Sequence, residues 1–292
     1  MNSPPAPCTL QRVSDHVWWF TPESHRDRPS LGAVVGAHGV AVLDAGASPA
    51  HAAEFLAALN AAGVGPPTQL VLTHAHWDHV FGLAAFRCPV IATRGTDARL
   101  AQMMTWDYSD AGLPGLVAAG HEIPFTAEHL PRELTDAQRA AQVLRRADLV
   151  VEASHQLDLG GVHCDVVHVG GDHADDACVI HVPEDRLLFL GDCLCDDLYH
   201  GPRHYTRARL LPLIARIEGF EAEILIEGHA GGLGGRASSA KEFALIRDAY
   251  AWLDAHGRGG GEDPAPALAH ALKQRHAAED VDGLLPPILA GL

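Results

Sequence analysis

The segment His74-Ala75-His76-Trp77-Asp78-His79 places four side chains that can bind a metal within six residues. It follows the apolar run Gln69-Leu70-Val71-Leu72-Thr73, which predicts a buried strand. Histidine nitrogen and carboxylate oxygen together suit a borderline divalent ion such as zinc. Because alternate residues of an extended segment point to the same side, His74 and His76 can bind one ion. Asp78 and His79 then face a second position.

Histidine is frequent in this chain, so the segment has to be weighed against chance. The sequence contains 20 histidines. Four polar, titratable groups beside a buried strand would cost several kcal/mol of desolvation if they bound nothing, which favours a functional role for the segment. The isolated histidines are instead predicted to be solvated or satisfied by hydrogen bonds, namely His38, His51, His121, His129, His256, His270 and His276.

Three further polar residues follow predicted strands later in the chain. His173 comes after the strand-like run 164–169, within Gly170-Gly171-Asp172-His173-Ala174-Asp175-Asp176. Asp192 ends Leu187-Leu188-Phe189-Leu190-Gly191-Asp192, and His229 ends Ile224-Leu225-Ile226-Glu227-Gly228-His229. By these motifs and their order, the chain over roughly residues 13 to 250 resembles the metallo-β-lactamase-fold hydrolase superfamily.

The resemblance implies a dinuclear metal site. The first ion would be bound by His74, His76 and His173, and the second by Asp78, His79 and His229. Asp192 would bridge the two ions. We expect two divalent ions, with zinc as the first choice and Mn²⁺ or Fe²⁺ as alternatives. With Asp at position 192, the chain resembles glyoxalase II and the acyl-homoserine lactonases more closely than the β-lactamases proper. The β-lactamases usually have Cys or Ser at that position.

The resemblance also implies a reaction. Two adjacent ions can share a water, lower its pKa towards neutrality and so supply a bridging hydroxide. The chain is therefore expected to be a metallo-hydrolase of an ester, thioester, lactone or related bond, with Asp78 orienting the nucleophile. Two alternatives remain open. One is a mononuclear iron enzyme that oxidises a persulfide with a His, His, Asp subset, and the other is a non-catalytic metal- or ligand-binding member of the fold.

The fold implied by the resemblance is α/β, a four-layer αββα sandwich of two mixed β-sheets flanked by helices. Strands are predicted at 13–20, 31–36 and 40–43, and a hairpin at 177–182 and 186–190. A helix is predicted from Pro49 to Ala62 with Ser48 as its cap, and further helices at 207–217 and 238–256. Asp44 ends a predicted strand. The resemblance implies that it supports the metal site, and a surface turn is the equal alternative.

The stretch 95–148 is the most individual part of the sequence. It ends in a predicted helix at 135–146. Between its glycines and prolines it carries eight large apolar or aromatic residues, namely Met103, Met104, Trp106, Tyr108, Leu113, Leu116, Phe125 and Leu130. Insertions at this point in the superfamily often cover the metal cleft, so these residues are candidates for an apolar lid. The alternative is that they only pack a helical hairpin onto the domain.

The chain is expected to divide into two parts. Residues 1–256 would form the metallo-β-lactamase-like domain, including the insertion. Residues 257–292 would form a Gly- and Pro-rich linker at 257–266 and a helical tail with a helix at 267–278. That tail is expected to dock on its own domain or on a second subunit, so a homodimer is possible. Tyr199, His200, His204 and Tyr205 follow the Asp192 turn and are candidates to approach a substrate carbonyl.

The charge of the chain limits the kinds of partner that the protein is expected to bind. The net charge of −16 disfavours nucleic-acid binding, which needs a basic surface to displace counterions, and leaves a small-molecule substrate as the expected partner. The six cysteines show no regular spacing and are predicted to be reduced core residues. We find no signal-peptide pattern and no apolar run of about 18 residues that could span a bilayer. A cytoplasmic enzyme without membrane contact is the expectation.

Overall fold

The computed structural model describes residues 7–256 and 263–292, which form two β-sheets. The first sheet has seven strands in sequence order: β1 (Leu10–Arg12), β2 (Val17–Phe20), β3 (Leu31–Val35), β4 (Val40–Leu43), β5 (Gln69–Val71), β6 (Val90–Thr93) and β7 (Leu149–Val151). The second sheet has six, also in sequence order: β8 (Ser154–Asp158), β9 (His163–His168), β10 (Cys178–Val182), β11 (Leu187–Gly191), β12 (Ile224–Glu227) and β13 (Gly234–Gly235).

Both sheets are mixed. In the first, β1 to β4 pair antiparallel, whereas β4, β5, β6 and β7 pair parallel. In the second, β11 and β12 are parallel and the other neighbours are antiparallel. Parallel neighbours have their carboxyl ends at the same edge, which is where α/β folds place ligand sites. The predicted site residues follow β5, β9, β11 and β12.

Three buried apolar clusters separate the layers. The cluster between the two sheets includes Val34 and Phe189. A second cluster joins the first sheet to its helices through residues such as Phe55, and a third joins the second sheet to its helices through Ile214 and Tyr250. Burial of these side chains is the main stabilising term of the fold. The order is therefore helices, sheet, sheet, helices, which confirms the predicted four-layer αββα architecture.

Helices flank both sheets in the described residues. They are α1 (Pro49–Ala61), α2 (Trp77–Val80), α3 (Arg94–Met103), α4 (Leu113–Ala118), α5 (Pro124–Glu133), α6 (Asp136–Ala140), α7 (Arg207–Gly219), α8 (Arg236–His256), α9 (Ala265–Lys273) and α10 (Ala278–Ala290). α1 begins as predicted, because the Ser48 hydroxyl accepts a hydrogen bond from His51 N and Pro49 lies in the first turn. α2 is a single turn that carries Asp78 and His79.

The insertion at 95–148 contains most of α3 and all of α4, α5 and α6, and one predicted boundary within it is wrong. The helix predicted at 135–146 is α6, which ends at Ala140. Beyond that residue, Gln142 Nε2 donates to the carbonyl of Phe81 at 2.7 Å, and Arg146 pairs with Asp97. These two side chains bind different parts of the fold, and the backbone between them leaves the helix to reach both.

The C-terminal tail packs on its own domain. The helix predicted at 267–278 is α9, which begins at Ala265 and ends at Lys273, and α10 has no counterpart among the predicted helices. Both contact α8, and Leu268 and Leu285 are buried in the same cluster as Tyr250. The predicted linker at 257–266 lies mostly outside the described residues. Among the described residues, the structure contains no helix with the length and apolar character needed to cross a bilayer.

Candidate metal centre

The structure brings all seven predicted site residues together at the strand ends between the two sheets. They form two groups, and within each group one nitrogen or oxygen atom per residue lies within 4.8 Å of every other. We call the first group the histidine triad, made of His74, His76 and His173. We call the second the aspartate group, made of Asp78, His79, Asp192 and His229.

The histidine triad is compact. His76 Nδ1 lies 3.0 Å from His74 Nε2 and 2.9 Å from His173 Nε2. The backbone of this segment is held by Asp176, whose carboxylate accepts hydrogen bonds from Ala75 N at 3.0 Å and from a threonine hydroxyl of α3 at 2.8 Å. Three ring nitrogens therefore converge on one point.

Asp192 belongs to both groups through a single oxygen. Its Oδ2 atom lies 3.4 Å from His173 Nε2 in the histidine triad. The same atom lies 3.4 Å from His79 Nε2 and 3.3 Å from His229 Nε2. Asp78 Oδ2 closes the aspartate group, at 3.2 Å from His79 Nε2 and 3.1 Å from His229 Nε2. The two groups thus share a carboxylate.

Hydrogen bonds on the outer ring nitrogens fix which atom of His74 and of His79 faces the centre. Asp44 is fully buried, has a left-handed backbone with φ of 63°, and accepts hydrogen bonds from Thr73 N at 2.7 Å and Thr73 Oγ1 at 2.8 Å. It also lies 2.8 Å from His79 Nδ1, so that nitrogen carries a proton and Nε2 faces the centre. Thr73 Oγ1 gives its proton to Asp44, so it accepts from His74 Nδ1 at 3.0 Å. Asp44 therefore supports the site, and the surface-turn alternative is wrong.

The donor set fits metal cations. His173 Nδ1 donates to the carbonyl of Asp196 at 3.2 Å, so His173 Nε2, like His74 Nε2, presents a lone pair. His76 Nδ1 carries at most one proton, so it can donate to only one of these two atoms and leaves the lone pair of the other without a donor from this ring. In the aspartate group, the buried atoms His79 Nε2 and Asp192 Oδ1 have no hydrogen-bond partner. Such atoms are costly unless a cation binds them, and nitrogen with carboxylate oxygen suits zinc or a similar ion.

Burial keeps His74 and His76 neutral. It lowers the pKa of His74 well below the usual value, and the neighbouring His79 adds to the effect. Burial does the same for the pKa of His76, with His173 as the next cause. Because neutral imidazole is the form that binds metal, these two residues are ready to bind a cation near pH 7 without losing a proton.

The aspartate group is charged in the absence of a metal. Burial opposes the ionisation of Asp78 and Asp192, yet His79 and His229 outweigh it and hold both pKa values well below the usual range. Burial likewise opposes protonation of the two histidines, yet the two carboxylates raise both histidine pKa values well above the usual range. Protons then occupy the positions that face a cation. Nearby, burial and the charge of Asp78 raise the pKa of Asp27 to about 7.

Two cavities meet at the centre. The apolar cavity, of about 570 Å³, reaches Asp78, Asp192 and His229, and its far wall includes Ile123, Pro124, Phe125 and Leu198. The polar cavity, of about 680 Å³, lies on the other side of the triad and is lined largely by charged and polar side chains. His76, His173 and Tyr199 line both. The centre is thus open to a molecule that enters from either side.

Of the eight candidate lid residues, Phe125 lines the apolar cavity and the others do not, which corrects the sequence prediction for those seven. Met103 and Tyr108 are each only 2% exposed and belong to the core cluster of the first sheet. Met104 and Trp106 lie with them around a separate cavity of about 210 Å³. The reason is that α3, which ends at Met103, packs on β6 and β7 and carries the residues at its end away from the centre. The insertion reaches the apolar cavity at the start of α5 instead.

Of the four residues predicted to approach a substrate carbonyl, only Tyr199 lines the apolar cavity. Its ring stacks on His76 with 5.0 Å between centroids. Its hydroxyl donates to Glu122 Oε2 at 3.1 Å. The other three bind elsewhere, since His200 contacts Asp197, His204 contacts the carbonyl of Pro202, and Tyr205 donates to the carbonyl of Leu194.

Sequence reasoning missed Glu122. This residue is 3% exposed, and its carboxylate accepts hydrogen bonds from Tyr199, Tyr108 and Thr126. Burial raises its pKa against the effect of these hydrogen bonds. It links the insertion to the ring that stacks on His76. The sequence does not single it out, because the insertion carries several other acidic residues, among them Asp97 and Glu128.

Fold and site together define an αββα protein with a histidine- and aspartate-rich centre between its two sheets. The family model described as the Metallo-beta-lactamase superfamily matches residues 27–229, well over half of the chain. The chain belongs to this superfamily, whose members are mostly hydrolytic metalloenzymes that bind divalent metals.

Comparisons with individual proteins agree with this family assignment. A hydroxyacylglutathione hydrolase of Ruegeria pomeroyi is 28% identical over 151 residues, which are 50% of this chain and 43% of that relative. The match thus spans less than half the length of the relative. A metallo-beta-lactamase from Pontibacter korlensis has a TM-score of 0.57 at 18% identity, with 82% of this chain and 99% of that chain covered. A metallo-beta-lactamase family protein of Thermus thermophilus has a TM-score of 0.55 at 20% identity, covering 90% and 89%. These structural likenesses show the fold.

Proposed function

We propose that the protein is a metal-dependent hydrolase with a dinuclear centre, most suited to zinc, that cleaves an ester, thioester, lactone or related bond of a small molecule. The observation that carries this proposal is the position of Asp192 Oδ2, which lies within 3.4 Å of a nitrogen in each of the two groups. One oxygen between two sets of nitrogen donors suits a carboxylate that holds two cations side by side.

The residues would divide the work as follows. His74, His76 and His173 would hold one cation, Asp78, His79 and His229 the other, and Asp192 both. When bound, such a pair supplies Lewis acidity and a water activated at neutral pH. Asp78 would orient that water, because its carboxylate accepts hydrogen bonds and is ionised at neutral pH. Asp44 would keep the His79 ring in place from the opposite side.

The apolar cavity supports an acyl substrate. Its volume of about 570 Å³ matches a small molecule, and the carboxylates of the centre face it directly. Phe125, 42% exposed, presents a flat apolar surface across the cavity. The name of the Ruegeria pomeroyi relative favours a thioester among the possible bonds.

The test is a hydrolysis screen. Chelator-treated protein is loaded with zinc or with manganese and assayed on thioesters, lactones, esters, β-lactams and phosphodiesters of matched size. We expect turnover of one carbonyl class, loss of turnover without metal, and loss of turnover in Asp192→Ala. Asp136→Ala, on the surface turn at the start of α6, is the matched control and should retain activity. Iron as the bound metal, with oxygen uptake on a persulfide and no hydrolysis, would favour the mononuclear alternative instead.

A further inference from the structure

We infer that Asp27 is a positioning residue for His229, the last member of the aspartate group, and that it does for this histidine what Asp44 does for His79. The inference rests on metal binding in the proposed function. It concerns a residue outside the seven-residue set, in the turn between β2 and β3. Its role would be to hold the ring so that Nε2 faces the cation.

His229 is the ligand candidate that most needs support. Its side chain is 31% exposed, whereas the side chains of His79 and Asp192 are 0% and 5% exposed. It lies in a glycine-rich loop after β12, with glycines at 228, 231 and 232. Its Nε2 faces the two carboxylates of the group, so Nδ1 is the atom left for a partner. Without a partner, the ring can turn towards solvent.

Asp27 occupies that side of the ring. Its Oδ1 lies 3.6 Å from His229 Nδ1, and its side chain is 14% exposed. In its ionised form Asp27 acts on the ring through its charge, because 3.6 Å is beyond hydrogen-bond distance. That charge favours the tautomer with the proton on Nδ1, which leaves Nε2 as the atom able to bind a metal. Three other histidines of the centre also have a polar group on the outer nitrogen, in their case at hydrogen-bond distance. Their outer nitrogens face Thr73, Asp44 and the carbonyl of Asp196.

The turn that carries Asp27 is built rigidly. Asp27 has φ of 55°, a left-handed conformation that is unfavourable for a residue with a side chain, and so the surrounding contacts must hold it. Glu23 and Arg28 pair through two backbone hydrogen bonds of 2.9 Å on either side. Arg28 is 2% exposed and pairs with Glu133 at 2.8 Å. Breaking a buried pair of this kind is strongly unfavourable.

The same segment is tied to the loop that carries His229. Ser30 N donates to the carbonyl of Gly228 at 2.6 Å, and the Ser30 hydroxyl accepts from Trp19 Nε1 at 2.9 Å. Asp27 and His229 therefore sit on two backbone segments that are joined directly beside them. The spacing between the carboxylate and the ring is thus set by the fold.

The experiment measures zinc affinity. Chelator-treated wild type, Asp27→Ala and Asp27→Asn are titrated with zinc in competition with a chromophoric chelator. We expect Asp27→Ala to weaken one of the two zinc sites by about 10- to 100-fold and to leave the other unchanged. Asp27→Asn should lose less, because its amide keeps an oxygen at the same place. Ser24→Ala, in the same turn and lining the same cavity, is the control and should match the wild type.

A nitrogen-15 spectrum of the histidine rings gives the second readout. In the zinc-loaded wild type, His229 should show a proton on Nδ1 that is protected from exchange, and Asp27→Ala should lose that protection. The His79 signal, supported by Asp44, should not change. Equal affinities and equal His229 spectra in Asp27→Ala and the wild type would overturn the inference. If Asp27→Ala does not fold, the near-isosteric Asp27→Asn decides. A wild type that binds no zinc would contradict the proposed function instead.

Discussion

Gly228 packs so closely against Asp192 that a Cβ atom at position 228 would lie 1.8 Å from Asp192 Oδ1. The contact arises because β11 and β12 are parallel neighbours, and Gly228 N donates to the carbonyl of Gly191 at 2.8 Å just beyond their ends. The residue before the last histidine thus sets the position of the carboxylate shared by both groups. Only glycine leaves that carboxylate where it is.

Gly228→Ala should therefore reduce metal occupancy. The added methyl group would displace the Asp192 carboxylate, and overpacking of this kind costs about 1–3 kcal/mol of stability. Elemental analysis after loading with zinc should find fewer than two ions per chain. Gly231→Ala is the matched control, because its Cβ would meet no atom within 4 Å. Equal occupancy in both variants would show that the centre tolerates movement of Asp192.

Asp192→Ala tests the shared carboxylate directly. The wild type should bind two transition-metal ions per chain, and the variant should lose at least one, since Asp192 Oδ2 faces both groups. Metal analysis against protein concentration measures this. A wild-type stoichiometry near one, unchanged by excess zinc, would indicate a mononuclear centre, and a value near zero would rule out a metal enzyme.

The seven site residues, which the structure brings together, were predicted from the resemblance to the superfamily, and that resemblance depends on short polar motifs that lie at or soon after predicted strands. Strand ends are local features of a sequence, and the fold brings such ends together at one edge. The role of Asp44 was harder to predict, since an Asp at the end of a strand is also common in a surface turn. The structure decides for support of the site, because Asp44 reaches both Thr73 and His79.

Asp27 and Glu122 could not be predicted in the same way. Each lies in a loop or insertion, and its partner is far away in sequence, at His229 and Tyr199 respectively. Long-range contacts of this kind depend on how loops return to the centre. Composition also misled the lid prediction, because Met103 and Tyr108 pack in the core of the first sheet and not against the apolar cavity. A buried core and a pocket wall use the same apolar residue types, so composition alone does not distinguish them.

Phe125→Ala should raise KM for substrates with an apolar acyl group by roughly tenfold, equivalent to about 1.4 kcal/mol of lost contact in the ground state and transition state alike. Zinc content should stay at the wild-type value. Trp106→Ala, in the separate cavity, should lower the free energy of unfolding by about 1–3 kcal/mol and leave KM unchanged. Steady-state kinetics with a series of acyl lengths and denaturant unfolding separate the two. A raised KM in Trp106→Ala alone would restore the lid assignment of that residue.

His51 should make the fold sensitive to acid. Its side chain is fully buried in α1, and burial, with the charge of Arg28, lowers its pKa to about 3. The unfolded chain takes up a proton at this residue below about pH 6.5, whereas the folded chain does so only near pH 3. The free energy of unfolding should therefore be unaffected by His51 above pH 6.5. Between pH 6.5 and pH 3 it should fall, by at most about 1.4 kcal/mol per pH unit.

His51→Gln should remove that part of the pH dependence while keeping an acceptor for Ala47 N. Denaturant unfolding at several pH values, compared with the wild type, measures the difference. His163→Gln is the control, since the hydrogen bond that its Nδ1 donates to Glu184 raises the pKa of this surface histidine. A histidine with a raised pKa stabilises the fold below pH 6.5 and ceases to do so at higher pH. His163→Gln should therefore lose stability in acid as the wild type does. An unchanged acid loss in His51→Gln would show that His51 does not cause it.

Asp78→Asn addresses the mechanism, because metal binding alone does not make a hydrolase. The substitution keeps the shape of the side chain but removes its charge from a position 3.1 Å from His229 and 3.2 Å from His79. If Asp78 orients the attacking water, kcat should fall by about 100-fold or more while much of the fold is retained. Wild-type activity should rise with pH through a value near 7, as is usual for zinc hydrolases, and chelators should abolish it reversibly. The rates must be compared at equal metal occupancy. An Asp78→Asn variant with the wild-type kcat on the best substrate would place the activation of the nucleophile elsewhere.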